Sequence, residues 1–348
     1  MVDNIKKNYK FLNQWIVFGE SVTGDSHKKN GLPNQDAIRF ETNESSETSL
    51  PLILAIADGH GSAKHFRSHI GAKIAVDIAI DELKNFSCST NNKNISFIKS
   101  ECEVRLTRNL VGRWLKEVIK HYEDNFLSED DLKMAEKNGV SQSLSNIENN
   151  KKMIYGSTLL SVLVTDNYIV YLQLGDGDIL VVNNNGEVKK PISRSEDFIA
   201  NETSSLCSDN AWAEFKVAVE SIEKEKPAMI FVSTDGLSNS YSSDEIFSQL
   251  GCESFKKICA NCLNIVNKNI DEYRLSLPEA LLETTVKGSG DDITLGIICQ
   301  KEAFIKNNEL NLSSPKSNDN LSETHSTLSP NEAENLFPDK GDNYESRT

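Results

Sequence analysis

Residues 52–62 read L-I-L-A-I-A-D-G-H-G-S, and this stretch decides the fold that we expect. A continuous apolar run with β-branched residues, ended by turn residues, is typical of a strand that is buried on both faces. The strand would end at Asp58, followed by the polar tip Gly59, His60 and Gly61. Glycines let backbone carbonyls approach a ligand, and the aspartate and histidine add a hard oxygen donor and a group that titrates near neutrality. A single Asp-Gly is more simply a tight turn, so the other motifs must distinguish the two interpretations.

The composition indicates a globular protein without the features of a nucleic-acid binder. The chain has 348 residues, of which 38% are hydrophobic and 26% charged, and its net charge is −15. This charge argues against nucleic acid, whereas a phosphorylated substrate can still be met locally by metal ions. No apolar run reaches membrane-spanning length, and residues 1–10 carry no secretory signal. Seven scattered cysteines fit a reducing compartment, so we expect a cytoplasmic location.

Several aspartates stand at the ends of apolar runs. Asp36 opens the run A-I-R-F, Asp235 follows A-M-I-F-V-S-T, and the pair Asp291 and Asp292 precedes I-T-L-G-I-I-C. Each alone could be a turn residue, but together with Asp58 they are too many like charges to stay unpaired, because clustered carboxylates repel each other. Divalent cations relieve that repulsion, and all-oxygen ligation favours magnesium or manganese over zinc. We therefore expect a two-metal site, which can clamp a phosphoryl group and activate a water molecule.

Two further clusters allow a metal-binding interpretation that the sequence does not favour. His65 and His69 lie one turn apart on a helix expected over residues 63–83, a spacing that can bind zinc. Surface histidines are common, however, and no third type of ligand lies nearby. Cys259 and Cys262 form a C-x-x-C pair, but a single pair is more simply explained by buried core thiols.

Five motifs occur in the order that is found in the metal-dependent protein phosphatases of type 2C, and the chain resembles this family over roughly residues 15–300. The motifs are D-G-H-G at 58–61, G-S-T at 156–158, G-D at 175–176, S-T-D-G at 233–236 and G-S-G-D-D at 288–292. The forms at 26–36 (S-H-x-x-x-G-x-P-N-Q-D) and 202–206 (E-T-S-S-L) resemble the bacterial branch. The resemblance implies an α+β fold, with a central β-sandwich of two antiparallel sheets flanked by helices on both sides. The metals would lie in a channel at one end of the sandwich.

The resemblance also implies a ligand set for the metals. Asp58 would bridge two metal ions, and the carbonyl of Gly59 would be a further ligand. Asp235 and Asp291 would hold one of the ions, and Asp36 would join the site partly through water. The cofactors would be two Mn²⁺ or Mg²⁺ ions per active site, with at most a weak third.

Catalytic roles follow from the same resemblance. His60 would be the general acid that protonates the departing serine or threonine oxygen. Asp176 matches a position that orients this histidine or helps to bind a third metal. The nucleophile would be a metal-bridging hydroxide, so no covalent phosphoenzyme is expected.

The chain departs from the family pattern at three places. Many members carry an arginine shortly before the first aspartate that grips the substrate phosphate, and this chain lacks it. His27, Lys28 or Lys29 could take over this role. Asn239 stands where many members have a carboxylate, which weakens the case for a third metal. The expected flap at about 189–210 shares little with better-known members, so the substrate preference stays open.

The function we expect is hydrolysis of phosphoserine and phosphothreonine in proteins. Two alternatives remain, namely a catalytically silent binding module with the same fold and a phosphatase for small phosphorylated molecules. The partner would be a phosphorylated protein substrate, together with a serine/threonine kinase in a signalling pathway. We expect a monomer that binds neither nucleic acid nor membrane.

The expected domain organisation is a single catalytic domain over residues 1–300. It would contain a polar excursion at about 127–152 in addition to the flap. Residues 301–348 are rich in Asn, Ser, Glu, Asp and Pro with few hydrophobic residues, a composition typical of a disordered tail.

Overall fold

The computed structural model describes residues 14–129, 131, 149–192, 204–223, 225–261 and 263–305. Most of the expected polar excursion, much of the expected flap, Cys262 and the expected tail beyond residue 305 lie outside these ranges. No helix in the described ranges has the length and apolar character needed to cross a membrane.

In the part of the chain that the structure describes, ten strands form two antiparallel five-stranded sheets. The first sheet has the order β1-β10-β9-β6-β7, and the second has the order β2-β3-β4-β5-β8. In chain order the strands are β1 (Trp15–Val22), β2 (Ala37–Thr42), β3 (Leu52–Ala57), β4 (Leu159–Val164), β5 (Tyr168–Leu174), β6 (Asp178–Val182), β7 (Val188–Lys189), β8 (Lys216–Ser221), β9 (Met229–Ser233) and β10 (Ile293–Gln300).

The stretch that begins at Leu52 forms the strand predicted from its apolar run. All six residues of β3 are buried. Alternate side chains of a strand point to opposite faces. Leu52 and Leu54 therefore join the core between the two sheets, whereas Ile53 and Ala55 join the core beneath a helical layer. A strand covered on both faces has no polar face, which explains why its sequence does not alternate.

Helices cover the outer face of each sheet. The helices are α1 (Asp25–Asn30), α2 (Ser68–Thr90), α3 (Ile95–Glu101), α4 (Thr107–Asp124), α5 (Ala211–Glu214), α6 (Asp235–Ser238), α7 (Asp244–Ile258) and α8 (Leu263–Lys287). Helices α2 and α4 share a hydrophobic core with the second sheet, and α7 and α8 share another with the first sheet. Helix, sheet, sheet and helix thus form four layers, which confirms the predicted α+β sandwich.

Local boundaries differ from those expected at two places. The helix expected over 63–83 starts as a short 3₁₀ turn at Ala63–His65 and continues as α2 to Thr90. The helix therefore continues for seven residues beyond its expected end, because its last turn is anchored in the core. The hydroxyl of Thr90 contacts that of Tyr168 on β5 at 2.5 Å, and Phe86 is fully buried.

The described chain also continues past the expected end of the domain at residue 300. A 3₁₀ turn at Lys301–Phe304 follows β10, and the Phe304 ring is buried against helices α7 and α8. The folded part therefore extends to at least residue 305.

Candidate active site

The predicted site residues converge at one end of the sandwich. In the second sheet Ala37 pairs with Ala57, so Asp36 and Asp58 lie side by side, just before β2 and just after β3. In the first sheet β9 and β10 are antiparallel neighbours, which brings Asp235, after β9, near the residues that precede β10. Strand pairing therefore brings together carboxylates that are up to about 250 residues apart in the chain.

Asp36 joins the two sheets at this end. Its side chain is only 5% exposed, and one carboxylate oxygen accepts hydrogen bonds of 2.8 Å from the hydroxyls of Thr234 and Thr294. Burial, followed by the charge of Asp292, raises the pKa of Asp36 to about 8. The two hydroxyl bonds act in the opposite direction but do not outweigh burial.

Asp58 is surrounded by the other carboxylates. Burial raises its pKa well above the ordinary value, and the charges of Asp36, Asp235 and Asp291 raise it further. The carboxyl groups of Asp58 and Asp235 are in hydrogen-bonding contact with each other. At its backbone, the Asp58 amide donates to the hydroxyl of Thr158 at 2.9 Å, which joins the D-G-H-G and G-S-T motifs.

Asp176 belongs to the same cluster, on the side of Asp235. The pKa of Asp235 is raised first by burial and next by the charge of Asp176. The amide of Asn239 donates a 3.0 Å hydrogen bond to Asp235, which favours the charged carboxylate. Asn239 thus occupies the expected carboxylate position as a hydrogen-bond donor.

The two aspartates of the last motif have different surroundings. Asp291 is half exposed, and its charge acts on Asp58. Asp292 is buried, and its carboxylate accepts hydrogen bonds from the backbone amides of Gly24 at 2.7 Å and Gln35 at 2.6 Å. Asp292 therefore fastens the loop that leads to Asp36, a role that we did not predict from the sequence. In the sequence, the only indication of this role was that Asp292 directly precedes Ile293, the first residue of β10.

Of the three candidates for the missing arginine, only His27 faces the carboxylates. Its Nδ1 lies 2.9 Å from Asp292 and its Nε2 lies 3.6 Å from Asp291. The hydrogen bond to Asp292 is the main factor that raises the pKa of His27, against the effect of burial. Lys28 and Lys29 are exposed, and Lys29 forms an ion pair with Asp25 on the same helix.

Gly59 and His60 are held by backbone contacts. The Gly59 amide donates to the carbonyl of Gln35 at 3.1 Å, and the His60 amide donates to the carbonyl of Gly156 at 3.1 Å. A Cβ at position 59 would lie 2.6 Å from the Gln35 carbonyl oxygen, so only glycine fits. The His60 ring packs beside that of His65, with 4.9 Å between the ring centroids. Burial lowers the pKa of His60 to about 4.

The structure shows the surroundings of His65, His69 and Cys259, which belong to the two alternative metal clusters. His65 lies in the 3₁₀ turn with Nδ1 against the carbonyl of Met153, and His69 lies in α2. The two histidines therefore do not share one helical face. Cys259 follows the last residue of α7 and packs partly buried in the adjacent core, whereas its partner in the C-x-x-C pair lies outside the described residues.

The donor set at this end suits a hard divalent cation. Within the described ranges, no group of three or more His, Cys, Asp or Glu side chains is already arranged to hold a metal ion. The chemistry of the donors nevertheless fits one, because Asp36, Asp58, Asp235 and Asp291 offer only oxygen ligands, and burial together with neighbouring charges raises the pKa values of Asp36, Asp58 and Asp235. A cation would remove the repulsion that now favours the protonated forms.

The chain matches a known protein family over much of its length. A family model described as Protein phosphatase 2C matches residues 23–281, which is more than half of the chain. No curated protein matches the sequence.

Solved structures provide further similarities at low identity. The chain is similar to PppA, described as a key regulatory component of T6SS in Pseudomonas aeruginosa, at 15% identity over 82% of this chain and 97% of that one, with a TM-score of 0.47. It is also similar to the serine/threonine phosphatase Stp1 from Staphylococcus aureus (14% identity, 82% and 94% coverage, TM-score 0.44). A third is the catalytic domain of the phosphatase PstP in complex with two manganese ions (14% identity, 82% and 97% coverage, TM-score 0.44).

Proposed function

The chain belongs to the protein phosphatase 2C family, and from this premise we propose that it is a metal-dependent phosphatase of phosphoserine and phosphothreonine in proteins. The observation that carries the proposal is the convergence of Asp36, Asp58, Asp235 and Asp291 from both sheets beside His60. A purely structural site would not collect so many carboxylates, because buried ones such as Asp36 and Asp58 cost stability when they are charged. We assign this catalytic function to a domain that extends to at least residue 305.

Two Mn²⁺ or Mg²⁺ ions are the cofactors that this donor set would hold. Asp58 lies among the other carboxylates and would be shared between the ions, with the Gly59 carbonyl as an additional ligand. Asp235 and Asp291 would hold one ion, and Asp36 would complete the site. When bound, the ions supply positive charge for the phosphoryl oxygens and an activated water molecule.

We propose His60 as the general acid. As the bond between phosphorus and the serine or threonine oxygen breaks, the ring would donate a proton to that oxygen, and the water oxygen would form the new bond to phosphorus. The products are inorganic phosphate and the free alcohol. Because burial lowers the pKa of His60 to about 4, the free site favours the neutral ring. A substrate dianion beside the ring favours the protonated form and raises its pKa.

His27 is the residue that we propose for substrate phosphate, in place of the arginine of other members. It is held 2.9 Å from Asp292 and faces Asp291, whereas Lys28 and Lys29 are exposed. The raised pKa of His27 favours the cationic ring that a phosphate needs.

The first test is hydrolysis of p-nitrophenyl phosphate with manganese, with magnesium and with a chelator. We expect metal-dependent turnover in the wild type, and its loss in Asp58→Asn because that variant lacks the shared ligand. Asp235→Asn should behave in the same way, whereas Cys259→Ala should be nearly unchanged. An equal loss of turnover in Asp235→Asn and in Cys259→Ala would mean that the site is misassigned.

Further outcomes separate this function from the alternatives. A panel of phosphopeptides and small phosphate esters distinguishes a protein phosphatase from a phosphatase of small molecules. A protein that binds manganese without any turnover would be a silent binding module, and the proposed function would then be wrong.

A further inference from the structure

We propose that His65 is a positioning residue that holds the ring of His60 in the orientation needed for proton donation. This inference rests on the proposed function, in which His60 is the acid. His65 is absent from the expected ligand and catalytic sets, and no role of its own in binding metal or phosphate is implied.

The ring of His60 is otherwise weakly held. Its backbone amide is fixed by the carbonyl of Gly156, but its ring nitrogens make no hydrogen bond to any described residue. The nearest aromatic neighbour is His65, with ring centroids 4.9 Å apart and ring planes at 50°. The rotamer of His60 therefore depends on packing, and His65 supplies the packing surface.

His65 is itself rigidly placed. Its side chain is only 4% exposed, and its backbone amide donates to the carbonyl of Ser62 at 2.8 Å. The ring Nδ1 contacts the carbonyl of Met153, which requires a proton on Nδ1 because a carbonyl can only accept. Burial lowers the pKa of His65, which favours the neutral ring.

Gly156 completes the packing unit. A Cβ at this position would lie 2.6 Å from Nδ1 of His65 and 2.9 Å from Cδ2 of His60. Both rings therefore pack directly against the glycine backbone. A smaller side chain at position 65 would open a cavity beside the acid and allow its ring to rotate.

Arg67 stabilises the turn that contains Met153 through hydrogen bonds to the two residues that follow Met153. The Arg67 backbone amide donates to the carbonyl of Ile154 at 2.9 Å, and its guanidinium donates to the hydroxyl of Tyr155 at 3.1 Å. The partner that orients His65 is thus part of a hydrogen-bonded layer. This layer makes His65 a firm support.

The test uses the different need of two substrates for an acid. A serine or threonine alkoxide is a poor leaving group that must be protonated, whereas p-nitrophenolate leaves without a proton. In His65→Ala we expect kcat for a phosphothreonine peptide to fall roughly tenfold to a hundredfold with little change in KM, while kcat for p-nitrophenyl phosphate falls about twofold or less. His60→Ala should show the same selective pattern with a larger loss, of about 10²-fold or more.

Two variants separate positioning from a general loss of structure. His65→Phe retains an aromatic ring without the bond to Met153 and should recover most of the peptide activity, whereas His65→Asn can retain that bond without the ring and should not. His69→Ala is the matched control, because this histidine has no ring contact with His60 in the described part of the chain. Manganese affinity and thermal unfolding are measured for every variant, and both should be close to wild type for those that are interpreted.

Each remaining outcome is decisive. Equal losses on both substrates in a folded His65→Ala protein, or an unchanged ratio of the two activities, would overturn the positioning role while leaving the phosphatase intact. Equal losses in His60→Ala would show that His60 is not the acid and would overturn the inference with it. Absence of turnover in the wild type would overturn the proposed function itself.

Discussion

Replacing Asp292 with asparagine should destabilise the metal-free protein by about 2–4 kcal/mol, although the side chain changes by only one atom. The carboxylate of Asp292 accepts from Gly24 through one oxygen and from Gln35 through the other, at 2.7 and 2.6 Å. It also lies 2.9 Å from the ring of His27. These contacts connect the loop before β2 to the start of β10.

The magnitude follows from what an amide can accept. Asparagine has one acceptor oxygen, so in either orientation one of the two backbone amides loses its partner. An unsatisfied buried N–H costs about 1–3 kcal/mol. The remaining bond loses its charge assistance, which is worth about half of its strength, or roughly 1 kcal/mol. The ion pair with His27 is lost as well.

Urea unfolding in the presence of a chelator measures this effect without a contribution from bound metal. Asp291→Asn is the matched control, because Asp291 is half exposed and its oxygen bond to the Asp292 amide can persist. We expect this control to stay within about 0.5 kcal/mol of wild type in stability but to lose manganese affinity. A cost below about 0.5 kcal/mol for Asp292→Asn, or equal costs for the two variants, would refute the division of roles between the two aspartates.

Three further predictions concern stability. The pKa of Asp36 is about 8 in the folded protein and about 3.9 in the unfolded chain, so the folded state binds more protons between these values. Stability of the metal-free protein should therefore fall as the pH rises from about 4 to about 8, and a flat urea midpoint from pH 5 to pH 8 would contradict this. Arg67→Met should cost about 3–5 kcal/mol in urea unfolding, because Arg67 is buried and its ion pair with Asp131 would be broken; a cost below about 1 kcal/mol would show that the contact is unimportant. Gly71→Ala should destabilise by about 1–3 kcal/mol, since its Cβ would lie 1.9 Å from a backbone carbonyl oxygen. The helical control Gly112→Ala has free space around it and should stabilise by about 0.5–1 kcal/mol, and the same sign for both changes in thermal unfolding would be inconsistent with the packing described.

Local chemistry alone was enough to predict the buried strand and the carboxylates at strand ends, whereas the two-sheet sandwich followed from the resemblance to the type 2C family. The apolar run at Leu52–Ala57 predicted a strand buried on both faces, and the structure confirms it. The aspartates that follow or precede such runs predicted a cluster of carboxylates at strand ends. Both predictions rest on burial and turn chemistry, which act within a few residues, where the sequence records them directly.

The ends of elements were less predictable from the sequence. Residues near Thr90 are polar and read as a loop, yet the helix continues because the Thr90 hydroxyl contacts Tyr168, which is 78 residues away. Polarity in a short window therefore competes with a long-range contact that the window does not contain. For the same reason, the composition after residue 300 predicts a tail, although Phe304 is buried in a hydrophobic core with α7 and α8.

Only the tertiary structure shows which role each residue of the site has. Asp291 and Asp292 are adjacent residues of the same type. Only Asp292 is buried, and its carboxylate accepts hydrogen bonds from two backbone amides more than 250 positions away in the chain. Likewise, the sequence does not distinguish His27 from its neighbours Lys28 and Lys29 as a phosphate-binding residue. In the structure, only His27 contacts Asp292, whereas the two lysines are exposed. His65 gained its significance only from the ring of His60 beside it. The sequence determined which chemical groups were available at the strand ends, whereas burial and long-range hydrogen bonds determined which of them face the site, because these depend on residues that only the folded chain brings together.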